Sequence, residues 1–297
     1  MIALRSTPNM PDRRTLTHQG MLAAIKARQD VKTDLVNPIC IYDVCAAHGV
    51  PVRFTDISSM EGMYERARKP RIILSALRPL ARRAYTCAHE LGHHVFGHGS
   101  TIDELRDEDA AQAHSNPKEI LADAFAAFML MPTLGLRRAF ASRGWKAEAA
   151  TPQQVYVVAS EFGVGYATLV THLAYGIREM PVAHATALRK VTPKALRAHI
   201  LGELTGDPLI VADAHFTSPT LDAEVGTLLL LPPGTVVSGA VAAFVHDLPA
   251  GRLFRAVQPG LGRATLPGTP WAAFVRISRS QYVGLAQYRH LEDAANE

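Results

Sequence analysis

The sequence predicts an α+β protein: a mainly helical unit with a small sheet, then a helix-turn-helix-like helical segment, then a β-rich carboxy-terminal unit. Three observations carry this. Apolar residues recur at helical spacing through most of the chain before Gly206. Two short stretches within that region, 50–55 and Arg71–Ser75, read instead as strands. After Gly206 the pattern changes to short apolar runs such as LIVA, TLLLL, AVAAFV and WAAFVRIS, separated by turns as at Pro232-Pro233-Gly234.

The elements follow in order. Residues 1–34 read as a loose tail and one helix over 16–31, which Asn37-Pro38 interrupts. Residues 35–150 form the central unit. In it a short helix over 39–48 ends at Gly49, the two strands follow with a polar turn region containing Gly62 between them, and helices come at 82–97 and Pro117–Leu130. Pro132 closes the second of these, because its ring clashes with the preceding turn and it lacks an amide hydrogen. Residues 151–205 open on Thr151-Pro152, a capping side chain followed by a proline preset for the first helical turn. They read helix, Gly163 turn, helix, with a further helix over 193–204. Residues 206–297 make the β-rich unit, its boundary between 205 and 210.

A chain of 297 residues is long enough for two domains and for a core that needs no covalent staples. With 48% hydrophobic and 20% charged residues it is not a disordered chain. A net charge of +4 is too weak a bias to imply nucleic acid or a membrane surface. Cys40, Cys45 and Cys87 cannot build a disulfide framework, which points to a reducing compartment. The start, MIALRSTPNMPDRR, has Arg and Pro where a secretory signal needs a continuous apolar core, and no later window reads as a bilayer span. A cytoplasmic protein with no membrane partner is expected.

Of 13 histidines, five (His89, His93, His94, His98 and His114) fall between positions 89 and 114. His89, Glu90 and His93 spell H-E-x-x-H on a helix. Residues four apart share a helix face, so both imidazoles reach one metal ion, and Glu90, one step round, faces its open side as general base. A third ligand is available on the next helix at Glu119. Asp123, four residues later on the same face, is placed to hold the free ring nitrogen of a ligand histidine. The helix around Asp123 is apolar nearly all round, so its carboxylate is expected to be buried and in need of a partner.

Other residues are weaker candidates for the same site. His98 falls at the wrong spacing for the elongated three-histidine motif. His94 is expected off the metal face in a hydrogen-bonding or surface role, and His114, in a polar loop, is an outside candidate. Cys87 lies on the wrong side of the helix and reads as a small buried residue rather than a ligand or redox switch. Tyr166, His172 and Tyr175 are conceivable donors to a tetrahedral oxyanion.

Together these residues resemble the ImmA/IrrE metallopeptidases. The likeness runs from the short helix ending in Gly49-Val50, through the strand pair and Ile73 to Arg82, to AHELGHH at 88–94 and E-x-x-A-D-x-F-A-x-x-x-L-M-P at 119–132. It covers roughly 35–175, and the paired motifs are specific. The resemblance implies a compact, thermolysin-like zincin fold of the gluzincin type and a zinc-dependent endopeptidase, with manganese as the alternative metal. It implies metal on His89, His93 and Glu119, with Glu90 as general base. It further implies a protein partner, a helix-turn-helix repressor whose cleavage switches on genes of mobile elements or stress responses. The strand beside the active-site helix, Arg71–Ser75, is expected to take the substrate as an added strand. The β-rich segment lies outside the likeness.

Two rival readings remain. A DNA-binding regulator would use the helix-turn-helix pattern of 158–173, but its second helix holds no Arg or Lys between Ala167 and Tyr175, which favours a packing role. A scaffold could bind a repressor without cutting it. Two charged clusters, Arg66 to Arg83 and the acids Asp103, Glu104, Asp107, Glu108 and Asp109, read as solvated faces. The acids could also attract a basic repressor.

Overall fold

The computed structural model describes residues 12–104 and 116–291, and it mixes helices with three small sheets. Helix α1 (Arg13–Asp30) starts where the Asp12 carboxylate accepts the Thr15 amide. It lies along α4 (Pro117–Leu130) and closes on it at Gly20, where a Cβ would stand 2.5 Å from that of Ala124. The buried Arg28 guanidinium then donates to the carbonyls of Asp34, Asn37 and Met129, tying the end of α1 to the end of α4.

After α2 (Ile41–Ala47) come β1 (Val52–Thr55), β2 (Met60–Glu65) and β3 (Arg71–Ser75), then α3 (Leu80–Val95) and β4 (Thr101–Glu104). The first sheet has the order β13-β1-β3-β2-β4, with β1 and β3 parallel and its other pairs antiparallel; β13 is Gly284–Leu285. Two expectations are corrected here. The stretch around Gly62 is a strand, not a polar turn. MEGMYE carries no alternation because β2 is buried along most of its length, and Gly62 lies so close to α3 that a Cβ would fall 2.4 Å from Thr86 Cγ2. Strand β3 is not an edge either. It is paired with β1 on one side and β2 on the other, so its amides and carbonyls are committed and cannot accept an added strand. Among the described residues β4 is the edge on that side.

Pro132 ends α4 but also opens α5 (Thr133–Ala141), since its fixed φ of −63° suits the position before a first helical turn. Helix α6 (Pro152–Glu161) begins with a reciprocal cap between Thr151 and Gln154. After it come α7 (Tyr166–Thr171), which runs into one π turn at His172–Gly176, then α8 (Val182–Leu188) and α9 (Pro193–Leu201). The stretch Pro117–Ala141 is by length and composition apolar enough to cross a membrane, and 67% of its most apolar window is buried inside the protein. Its apolar character is that of a core element.

The remainder forms two four-stranded sheets. One is ordered β5-β7-β10-β9, from Leu209–Val211, Leu228–Leu231, Gly251–Ala256 and Ala242–Leu248. The other is ordered β6-β12-β11-β8, from Thr220–Glu224, Ala272–Ser278, Gly260–Thr265 and Val236–Ser238. Leu229, Leu231, Phe254, Val275 and Ile277 fill the space between them. The unbroken leucine run of β7 is explained by burial on both faces: Leu229 and Leu231 face this inner layer, while Leu228 and Leu230 join the main core with Leu91 and Phe125. The composition shift near 205–210 therefore coincides with the end of α9 and the start of β5, but the main core continues across it. The chain also returns to its first half at β13, where Leu285 pairs with Arg53 of β1.

Candidate metal centre

Helices α3 and α4 build the site. α3 buries Cys87, Ala88 and Leu91, and at Gly92 it approaches α4 so closely that a Cβ would stand 3.0 Å from Ala122 Cα. This contact brings Glu119, in the first turn of α4, against the two histidines. His89 Nε2 lies 3.0 Å from His93 Nε2 and 3.2 Å from Glu119 Oε2, and the His93 to Glu119 separation is 3.5 Å. A tetrahedral zinc ion with bonds of about 2.0–2.1 Å sets its ligand atoms about 3.3 Å apart, so the three atoms fit the edges of such a shell. His89, His93 and Glu119 also stand together as a group able to hold a metal ion.

The far sides of both rings are held. His89 Nδ1–H donates to Asp123 Oδ1 at 3.0 Å, and His93 Nδ1 lies 2.8 Å from His98 Nδ1. Burial, then the neighbouring His93, pushes the His98 ring down to about 4, so His98 is neutral and accepts from His93. These partners select the tautomers that turn both Nε2 lone pairs inward. Two imidazole lone pairs and one carboxylate thus converge on a single point, an arrangement that a cation completes.

Glu90 is fully buried, and Thr101 of β4 donates its hydroxyl to Glu90 Oε2 at 2.8 Å. Neither Thr101 nor the role of His98 was anticipated. A signal for His98 exists: Gly97, at φ +66°, takes the left-handed turn that ends a helix, and the His98 amide then donates back to the His93 carbonyl. For Thr101 there is none, because its contact depends on strand pairing.

The other expected residues lie as follows. Asp123 makes the contact foreseen for it, but its side chain is 52% exposed, so the expectation of burial is corrected: it sits on the solvent edge of α4 while Ala122 and Ala124 face inward. His94 receives the Tyr64 hydroxyl at 2.9 Å, off the metal face. Cys87 is buried with its Sγ 3.6 Å from that of Cys45, and burial raises its thiol pKa. Two of the three oxyanion candidates are engaged elsewhere, and the third is exposed. Tyr166 donates to the Leu188 carbonyl at 3.0 Å, His172 bonds the Met131 carbonyl at 3.0 Å, and Tyr175 is 53% exposed. His114 and the acids at 107–109 lie outside the described residues, as do the side chains of Asp103 and Glu104.

Most of the basic cluster is a solvated face, with Arg66, Arg68, Lys69, Arg71 and Arg82 exposed, but Arg78 and Arg83 turn inward. Arg78 and Arg82 pair with Glu61, Arg71 pairs with Glu65, and Arg83 is buried against Glu224 of β6 at 2.5 Å. Helix α7 buries Tyr166, Leu169 and Val170 and carries no basic residue.

Residues 45–173 match the model of the Peptidase M78 family, described as the IrrE N-terminal-like domain. Over that span the chain is similar to an IrrE N-terminal-like domain. That span includes α3, α4 and every residue of the candidate centre, and the family implies peptidase activity in general. A Mycobacterium tuberculosis transcriptional regulator of known structure is similar at 15% identity and a TM-score of 0.35, over 53% of this chain and 47% of that one. This chain thus spans about half the length of that protein. No curated protein matches the chain.

Proposed function

We propose that the chain is a zinc-dependent endopeptidase, with manganese as the alternative metal, and that it cuts a helix-turn-helix transcriptional repressor to relieve repression in a mobile-element or stress response. The observation that carries the hydrolytic part is the convergence of His89, His93 and Glu119 next to a buried Glu90. When bound, the metal supplies Lewis acidity and makes water a competent nucleophile at neutral pH.

The remaining work falls to the chain's own residues. Asp123 and His98 fix the planes of His89 and His93, and Glu119 is the one anionic ligand of the three. Glu90 takes a proton from the attacking water on its carboxylate and returns it to the leaving amine. The Thr101 hydroxyl, bound to Oε2, sets the plane of that carboxylate. An extended substrate has β4 as the sheet edge beside this residue, in place of the interior β3. The substrate class rests on the motif resemblance.

The test incubates the purified protein, with zinc or manganese, with repressors encoded near its gene, beside Glu90→Gln. The expected result is cleavage by the wild type and a loss of about 100-fold or more in the variant at unchanged metal content. Cleavage that persists in Glu90→Gln overturns the mechanism, and binding without cleavage by the wild type establishes the scaffold reading instead.

A further inference from the structure

Away from the metal centre, a second concavity lies where the helices meet the sandwich. It encloses about 420 Å³ and is walled by the start of α3, by α6 and the turn after it, by α9 and by β6. This is within the range of small-molecule sites, about 300–1,000 Å³. Its lining is chiefly apolar, with Ile39, Ile41, Leu80, Leu209, Phe216 and Leu221 among the contributors.

The charges decide which chemistry fits. Glu161, Asp222 and Glu224 border the cavity, and each is already neutralised by a buried or half-buried arginine. Arg143 pairs with Glu161 at 2.8 Å, Arg276 with Asp222 at 2.6 Å and Arg83 with Glu224 at 2.5 Å. Among the described residues, the only cationic side chain in the lining is Arg197 of α9, and it pairs with no carboxylate. Its Nε is buried and donates no hydrogen bond. Its polar neighbour is the Tyr156 hydroxyl, whose own hydrogen goes to the Leu209 carbonyl at 2.7 Å. A buried donor left without an acceptor is costly, and a carboxylate is the acceptor that a guanidinium's fork matches best.

We propose that this cavity binds a small amphiphilic carboxylate of the fatty-acid type, its alkyl chain against the apolar walls and its carboxylate on Arg197. Such an occupant touches Leu80, Ala81 and Ala84 in the first turns of α3, the helix that carries His89 and His93. The binding site is independent of the peptidase reading.

Calorimetric titration of the full chain with decanoate, below its micelle concentration, tests it. The expected result is saturable binding at a single site. Arg197→Gln should weaken it at least about tenfold, as should replacing decanoate with decanol, because each removes a hydrogen bond to a charged group. Ser160→Phe, which projects bulk into the cavity from α6, should abolish binding at an unchanged melting temperature. Absence of binding by wild type at millimolar decanoate overturns the proposal. So does decanoate affinity that is equal in Arg197→Gln, or decanol binding as tightly as decanoate. Undiminished binding by a folded Ser160→Phe does the same, because it puts the ligand elsewhere.

Discussion

Helix α3 carries buried polar groups toward both ends, and they are settled in opposite ways. Near its start Arg83, 2% exposed, pairs with Glu224 of the sandwich and lies over the Phe54 ring. Close to that junction Arg143 bridges Glu161 and Asp213. Each charge there meets its opposite within the chain. Toward the other end His89, His93 and Glu119 turn three electron-pair donors to one point while Asp123 and His98 hold the rings from behind. Buried charge alone therefore does not mark a functional site, since ion pairs that join two parts of a fold have it too. The mark is a set of ligand atoms aimed together with their outer sides tied down.

The sharpest way to break this comparison is at the junction. The side chains of Arg143 and Glu161 are 1% and 2% exposed. Arg143→Ala strands two carboxylates, one of them without access to water, and should cost about 3–5 kcal/mol. A fall in the urea midpoint, with the metal content of the folded protein unchanged, is the expected outcome. A midpoint equal to that of the wild type would mean that these ions do not hold the fold.

A buried histidine outside the metal centre gives the next largest effect. His172 packs on Phe128, and its Nε2–H donates to the Met131 carbonyl, so the chain itself satisfies the ring. Burial pushes its pKa down to about 4, whereas an unfolded histidine titrates near 6.5. The unfolded state thus takes the proton first. The stabilisation is fully present above about pH 6.5 and is lost as the pH falls toward 4, by about 3 kcal/mol in all. The difference in unfolding free energy between wild type and His172→Gln, followed from pH 7 to 4, should narrow by that order. A constant difference would show that the ring titrates alike in both states.

Local sequence rules reached part of this molecule and stopped at identifiable places. The H-E-x-x-H spacing, the Thr151-Pro152 start and the span of α4 each depend on neighbours a few residues apart, and these were legible. Strand β2 was not, because a strand that is covered along most of its length shows no alternation and its glycine mimics a turn. The interior position of β3 is a property of strand order, which no local pattern encodes. Pairs such as Arg83 with Glu224 and Arg143 with Asp213 join residues far apart in sequence, so an arginine-rich stretch looked solvated when part of it was an interface. Within the centre the ligand trio was legible but its supports were only half so. Asp123 follows from helix spacing, whereas Thr101 arrives through strand pairing.

His98 allows the smallest and most discriminating test, because it and Arg83 are buried polar residues toward opposite ends of α3 with opposite assignments. If His98 serves the centre by holding His93 Nδ1, His98→Ala should lower zinc affinity about 10–100-fold, measured by competition with a fluorescent chelator, at little cost in the urea midpoint of the metal-free protein. His98→Asn, whose amide oxygen can accept the same hydrogen, should recover part of the loss. Arg83→Ala should do the reverse, lowering the midpoint and leaving zinc affinity near that of the wild type, since its carboxylate partner lies on the sandwich. Equal zinc affinities in wild type and His98→Ala would remove His98 from the centre and leave His93 oriented by helix packing alone.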